Sequence, residues 1–251
     1  MSKRAVRTLL IVVVILGGLF VGADRLAVGF AEDEAAKKLR TSEGLGETPD
    51  VSIKGFPFLT QVVGGTLDDV EIGIKDYDAT SGSDKIRIAD LNAQMKGVDF
   101  SGDYSSATAA EATGTARISY DELLKEAQGG PAVELPLGAT GKVVGLSDGG
   151  DGKIKVEVEV SKGGTKLPKP VNVLSSARVE GDTIKVHADE IPKSLQVMGI
   201  SIPLPEGLVR DVTDFEEKVS GLPGGIKIDT VKAAQDGVDI AVKGTNVELA
   251  G

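Results

Sequence analysis

The chain has no cysteine and no tryptophan, a single histidine, and aromatic residues at only 4% of its 251 positions. Without cysteine there is no disulfide, no thiolate nucleophile, no Cys-based zinc site and no N-terminal cysteine to carry a lipid anchor. Long runs of one charge and low-complexity tracts are also missing, so the composition is not that of a disordered chain. Positive charge is in deficit, with 28 Lys and Arg against 38 Asp and Glu, a net charge of −10. Because Lys3, Arg4 and Arg7 sit at the very start, the remainder is more acidic still. An acidic body repels phosphate backbones and anionic headgroups, which excludes nucleic acid as a partner and leaves apolar contact as the route to lipid. Glycine is plentiful instead: 33 residues, well above a usual share of ~7%, which suits turns and thin, sheet-like packing around small side chains.

The start, "MSKRAVRTLLIVVVILGGLFVGAD", is basic and then uncharged from Thr8 to Ala23. A helix of that length spans roughly 24 Å, between an ordinary secretory h-region and a full membrane span. Val21-Gly22-Ala23 offers a small-residue cleavage site, and "DRLAVGFA" could extend the helix as a signal anchor. In both readings the basic residues stay cytoplasmic and the acidic body is exported. The expected division is residues 1–23 as signal peptide or signal anchor and residues 24–251 as one extracytoplasmic domain. Its expected location is the extracytoplasmic face of the plasma membrane, or outside the cell if the signal is cleaved.

"DRLAVGFAEDEAAKKLRTSEG" reads as an amphipathic helix with Leu26, Ala27, Phe30, Ala31 and Leu39 on the apolar side, stopped by Gly44 and Gly46. From Val51 onward, alternation dominates. Val70, Ile72 and Ile74 share one strand face, and Ile154, Val156, Val158 and Val160 alternate with charges in "KIKVEVEV". "TIKVHAD" and "GVDIAVKG" repeat the scheme. In "KIRIADLNAQM" the phase slips from Ile86 and Ile88 to Leu91, Ala93 and Met95, which predicts a bulge near Ala89-Asp90. "SDGGDGK" and "EGDT" are hairpin turns. Short helices are expected over Tyr120–Ala127, Pro192–Met198 and Val209–Val219. The fold class is α+β, with a long, curved, antiparallel sheet, few helices, and no linker or repeat.

Catalytic constellations are not found. His187 lies in phase with Lys185 and Asp189 on a polar strand face, and no second histidine or cysteine joins it as a metal or triad partner. There is no Gly-x-Ser-x-Gly elbow, and "GLGETP" lacks the third glycine of a dinucleotide loop. Asp148 and Asp151 have turn spacing rather than that of a calcium loop. Asp68 and Asp69 are neighbours on a strand and point apart. The expectation is a protein without enzyme activity, metal or cofactor.

What stands out is apolar. "IKGFPFLTQVVGG" places Phe56 and Phe58, two of six phenylalanines, around Pro57 and before Leu59, Val62 and Val63. Pro57 suits a first helical turn and Gly64-Gly65 its end. Leu59, Val62 and Val63 would share a face, with Phe58 over Val62. Each side chain taken singly could simply fill the core. A ligand cavity is also mostly apolar, so the expected cavity lining is Phe56, Phe58, Leu59, Val62 and Val63, with Val70, Ile72, Ile74, Ile86, Ile88, Leu91 and Met95 behind them.

"PDVSIKGFPFLTQVVGG" followed by "LDDVEI", the closing "GLPGGIKIDTVKAAQDGVDIAVKGTNVEL" and the start ending in "ADRLA" resemble the LmeA-like phospholipid-binding family of actinobacterial cell-envelope proteins. The resemblance runs over nearly the whole chain and is patchy between Gly97 and Val209. It implies a tubular lipid-binding (TULIP-like) fold, a highly curved antiparallel sheet wrapped around helix to leave an apolar cavity. It further implies binding of phospholipids, including phosphatidylinositol-type lipids, support of lipoglycan maturation, and no catalytic residues. The alternatives are a scaffolding envelope protein with a packed interior and, last, an envelope hydrolase.

Overall fold

The structure is a computed structural model describing residues 3–81, 84–102, 106–129, 132–135, 138–197, 200–203, 205–218, 222 and 224–250. One helix, α1 (Lys3–Ser42), opens the chain and absorbs both expected N-terminal helices without a break. Gly44 ends it in the left-handed region, with the Leu45 amide donating back to the Arg40 carbonyl at 2.9 Å. Then come β1 (Asp50–Lys54), α2 (Phe58–Gly64), β2 (Thr66–Ser81), β3 (Asp84–Phe100), β4 (Ala107–Ser119) and α3 (Tyr120–Gly129). A second run holds β5 (Val133–Leu135), β6 (Ala139–Gly150), β7 (Lys153–Lys162), β8 (Thr165–Lys166), β9 (Val171–Glu180) and β10 (Thr183–Glu190). The chain closes with β11 (Ser194–Val197), β12 (Ile200–Pro203), α4 (Glu206–Thr213), β13 (Phe215–Lys218), β14 (Ile226–Ala233) and β15 (Gly237–Ala250).

The strands form two large antiparallel sheets and one hairpin. The first sheet runs β1-β2-β3-β4-β15-β14 and the second β13-β10-β9-β7-β6-β5, with β11 and β12 paired separately. This is the expected α+β class, built on a strongly curled, half-barrel sheet. The Asp151-Gly152 turn between β6 and β7 has both φ angles positive, as a two-residue hairpin requires. Two expected helices are corrected. Pro192–Met198 holds strand β11 rather than a helix, with Met198 outside the described residues. Its Leu195 and Val197 pair with Ile202 and Ile200, so alternation over a short span decides the element. In Val209–Val219 the helix stops at Thr213 and β13 follows, pairing with β10 from Phe215; Val219 lies outside the described residues.

The curl has a local cause. Asp68, Gly97, Ala110 and Asn246 drop out of the β2-β3-β4-β15 ladders at one level, while the register on either side is unchanged. Gly97 and Asn246 there have φ of 57° and 51°. Residues three apart on an unbroken strand point opposite ways, yet Met95 and Val98 are both buried, as are Ala109 and Ala112. One residue per strand at this line keeps the apolar side facing inward across the bend. A second line lies at Asp76 and Ala89, again without a register shift and with Asp76 at φ 49°. The phase slip expected near Ala89-Asp90 is therefore real, but both strands skip one pair together instead of forming a two-against-one bulge.

Two apolar clusters result. One joins the second sheet, through Ile154, Val156, Val158, Val171 and Val173, to Ile228, Val231 and Val238 of the first, with Tyr120 of α3 and Val209 of α4. The other packs Val28 of α1 and Phe58 of α2 on Leu67, Met95, Val98, Ala109, Ala112 and Val247.

Candidate functional site

The centre of the second cluster is where α1 meets the Gly55–Gly65 stretch. Gly55 turns the chain at φ 97°, the Phe56–Pro57 peptide is cis, and α2 begins at Phe58 with Pro57 as its N-cap. Proline has no N–H, and no side chain of the loop caps the helix. The cap comes from α1 instead: the Asp24 carboxylate, fully buried, accepts from the Leu59 amide at 2.9 Å and from Arg25 at 2.8 Å. The orphan donors of a short helix are thus satisfied by the first charged residue after the uncharged run. Gly65, at φ 75°, ends α2 by donating to the Gln61 and Val62 carbonyls. Two turns further along α1, Glu32 accepts from the Ile53 amide of β1 at 2.7 Å.

The face of α1 that packs on the sheet carries Asp24, Val28 and Ala36, with Ala27 and Ala31 beside them. Leu26 and Phe30, expected on the buried stripe, are instead 78% and 72% exposed. Small side chains let the helix lie close to β1 and α2. The larger pair, at i and i+4, is left on the outer side.

The expected lining residues fall into three groups. Phe58 and Met95 are buried in the second cluster, and Leu59, Val70 and Ile72 are half-buried against it. Phe56 and Val63 are 57% and 88% exposed and Val62 also faces outward, so α2 turns Phe58 and Leu59 inward rather than presenting one apolar stripe. The Phe56 ring carries the Arg25 guanidinium 5.1 Å from its centroid. Ile74, Ile86, Ile88 and Leu91 are half-buried and belong to neither cluster. Ile74 pairs with Leu91 and Tyr77 with Ile88 across β2 and β3, continuing the apolar face beyond the reach of α1. Two described grooves are polar by comparison. One, about 340 Å³, runs over Asp50, Glu71, Asn92, Gln94 and Thr113; the other, about 480 Å³, lies among Asp189, Glu190, Glu206 and Arg210.

A profile described as LmeA-like phospholipid-binding matches residues 22–243. The chain belongs to this LmeA-like family. No match is found among curated proteins or solved structures. Phospholipid binding is therefore the family's activity, and the family is described by binding rather than by catalysis. The matched span begins at Gly22, so it takes in Asp24, both phenylalanines and all of the expected lining. Among the described residues one helix, α1, is long and apolar enough to cross a membrane.

Sequence reasoning missed two arrangements. The sequence pattern marks Asp24 only as the end of the uncharged run; its position one residue past that run, with a proline-initiated helix lacking a cap elsewhere in the chain, is the available signal. His187 is half-exposed, as expected, but has partners from α4 and the residue after it: Asp214 at 2.7 Å from Nδ1 and Arg210 at 2.6 Å from Nε2. Both ring nitrogens are engaged, and the hydroxyl of Ser176, paired opposite on β9, donates to Asp189. The cluster ties α4 to β10, where Asp214 and Arg210 also bind the Ala188 amide and carbonyl. No group of metal-ligating side chains occurs among the described residues.

Proposed function

We propose that this LmeA-like chain is a membrane-anchored, extracytoplasmic phospholipid-binding protein of the bacterial envelope. Acyl chains lie along the concave face of β2 and β3, and residues 24–251 act as one domain behind the anchor. Ile74, Tyr77, Ile86, Ile88 and Leu91 form the acyl surface; Phe58, Leu59, Val70, Ile72 and Met95 close its covered end, and Phe56, Val62 and Val63 form its rim. The observation that supports this is the half-buried apolar stretch outside both clusters, next to a helix that covers only one end of the curled sheet. A scaffolding protein with a packed interior would bring those residues into a core. Burying about eight methylenes there contributes about 6 kcal/mol, enough to hold a lipid without a charged site. Phosphatidylinositol-type headgroups and a part in lipoglycan or envelope biogenesis are what the family resemblance implies; transfer of the lipid is a further part of the proposal.

The test is native mass spectrometry of the full chain in detergent with lipid extraction, beside uptake of a fluorescent phospholipid. The wild-type chain is expected to carry phospholipid, and Ile88→Lys and Leu91→Lys to lose it while keeping the wild-type circular dichroism. A wild-type chain with no bound phospholipid and no uptake sinks the proposal.

A further inference from the structure

The uncharged run from Thr8 to Ala23 is about 6 Å short of a hydrocarbon core of ~30 Å. Yet α1 does not stop there, and its next turn, Asp24 to Ala27, is of the length that is missing. The two charges in that turn are withdrawn from lipid in different ways. The Asp24 carboxylate is sealed inside the protein by α2 and Arg25. The Arg25 guanidinium lies over the Phe56 ring, and its stem can carry the charge toward the headgroups. Around this corner the protein exposes Leu26, Phe30, Phe56, Val62 and Val63. On an acidic body, a grouping of five such side chains marks an interaction site.

We propose that this corner is a bilayer-docking surface. The turn holding Leu26 completes the membrane span, and Phe56 and Val63 enter the acyl–headgroup boundary of the outer leaflet. The occupant is a phospholipid bilayer because α1 runs without a break from the apolar segment into the corner. Asp24 then binds α2 to that helix one residue past the uncharged run, in the turn that completes the span, so α2 cannot stand off from the membrane that holds α1. The net charge of −10 offers no attraction to anionic lipid, so apolar insertion is the force that seats the body. Docked in this way, the covered end of the concave face lies at the lipid surface, and an acyl chain can pass from leaflet to sheet past Phe56 without crossing water. The proposal rests on reading α1 as a retained anchor.

Because the chain has no cysteine, single positions can be labelled cleanly. Leu16→Cys, Phe56→Cys, Val63→Cys and Asp182→Cys in the full chain are spin-labelled and reconstituted into vesicles of phosphatidylcholine and phosphatidylglycerol. Collision with oxygen, which concentrates in lipid, is compared with collision with a water-soluble nickel chelate. Docking is expected to shift Val63→Cys and Phe56→Cys toward the oxygen-rich behaviour of Leu16→Cys, while Asp182→Cys in the β9–β10 turn stays aqueous. Val63 is so exposed that its replacement disturbs no packing. If both corner labels match Asp182→Cys while Leu16→Cys is in lipid, the docking surface is overturned and the anchor stands. If Leu16→Cys is aqueous as well, the anchor reading falls and takes the docking surface with it. Phospholipid retention, measured separately, decides the lipid-binding reading independently of either result.

Discussion

Replacing Asp24 tests whether the membrane helix and the phenylalanine corner form one mechanical unit. Asn at this position keeps the shape of the carboxylate but not its charge. Its oxygen can still accept from the Leu59 amide, 2.9 Å from the carboxylate now, while its NH₂ meets the Arg25 guanidinium, donor against donor. Ala removes both acceptors and leaves the buried amides at the start of α2 unpaired. A lost N-cap shifts a helix-opening equilibrium by roughly five- to thirtyfold, and α2, at seven residues, has no length to absorb that. The assay is hydrogen exchange by mass spectrometry on the full chain in detergent, comparing the segment 56–65 with the β7 segment 153–160. Exchange over 56–65 is expected to rise by about that factor for Asp24→Ala and by less for Asp24→Asn, with β7 unchanged. Unchanged exchange over 56–65 in both variants would refute the cap. An equal rise in both segments would show Asp24 to be an ordinary core residue with no particular hold on α2.

Gly97→Ala should destabilise the body by about 1–2 kcal/mol in urea titrations followed by circular dichroism, because a side chain at its positive φ is strained. The new Cβ would also lie 3.1 Å from that of Ala110; an unchanged midpoint would contradict the bend described for that line. Tyr120→Phe should cost about 1 kcal/mol, since the buried hydroxyl donates to the Ala234 carbonyl at 2.9 Å. Burial, with Asp148 and Asp239 nearby, pushes the Tyr120 phenol up to about 12. The folded state holds that proton more tightly than the unfolded one, so its contribution is complete below pH 10 and is lost as pH rises toward 12. Tyr120→Phe should flatten the fall in stability over that window, measured by the same titration at several pH values.

Local pattern carried the fold far. The alternation in "KIKVEVEV" gave β7 and its buried Ile154, Val156 and Val158, and the Asp-Gly and Gly-Asp pairs gave their hairpins. The break between Ile88 and Leu91 located the second bend line, because a change of parity is visible in one strand alone. That both strands change parity together is a property of the pair and cannot be read from either. The same limit applies to α1. Its apolar residues surround much of the helix, and only the neighbours decide that Val28 and Ala36 pack inward while Leu26 and Phe30 do not. Asp24 is the least legible of all, since its partners on α2 are 34 and 35 residues away in the chain. The candidate site was legible as composition, a cluster of apolar side chains between glycines, but not as an arrangement of wall, rim and covered end.

The bend lines connect these arrangements to lipid binding. A straight β-strand keeps one parity on its inner face, so a sheet that curls sharply would carry apolar side chains outward past the bend. By skipping one pair at Asp68-Gly97-Ala110-Asn246 and again at Asp76-Ala89, the sheet resets parity on neighbouring strands at once. Its inner face therefore stays apolar over a length greater than the short stretch of α1 and α2 that packs against it. The excess, from Ile74 and Leu91 to Ile86, is half-buried apolar surface beyond α1 and α2 and outside both clusters; α3 meets β3 beside it, where Glu122 accepts from the Arg87 amide at 3.3 Å. A sheet built only to be packed would need no such excess, because its apolar face could end where its helix ends. An acyl chain is narrow, flexible and apolar along its whole length, which is the form of partner that an overlong, curved apolar strip accommodates without any specific polar contact.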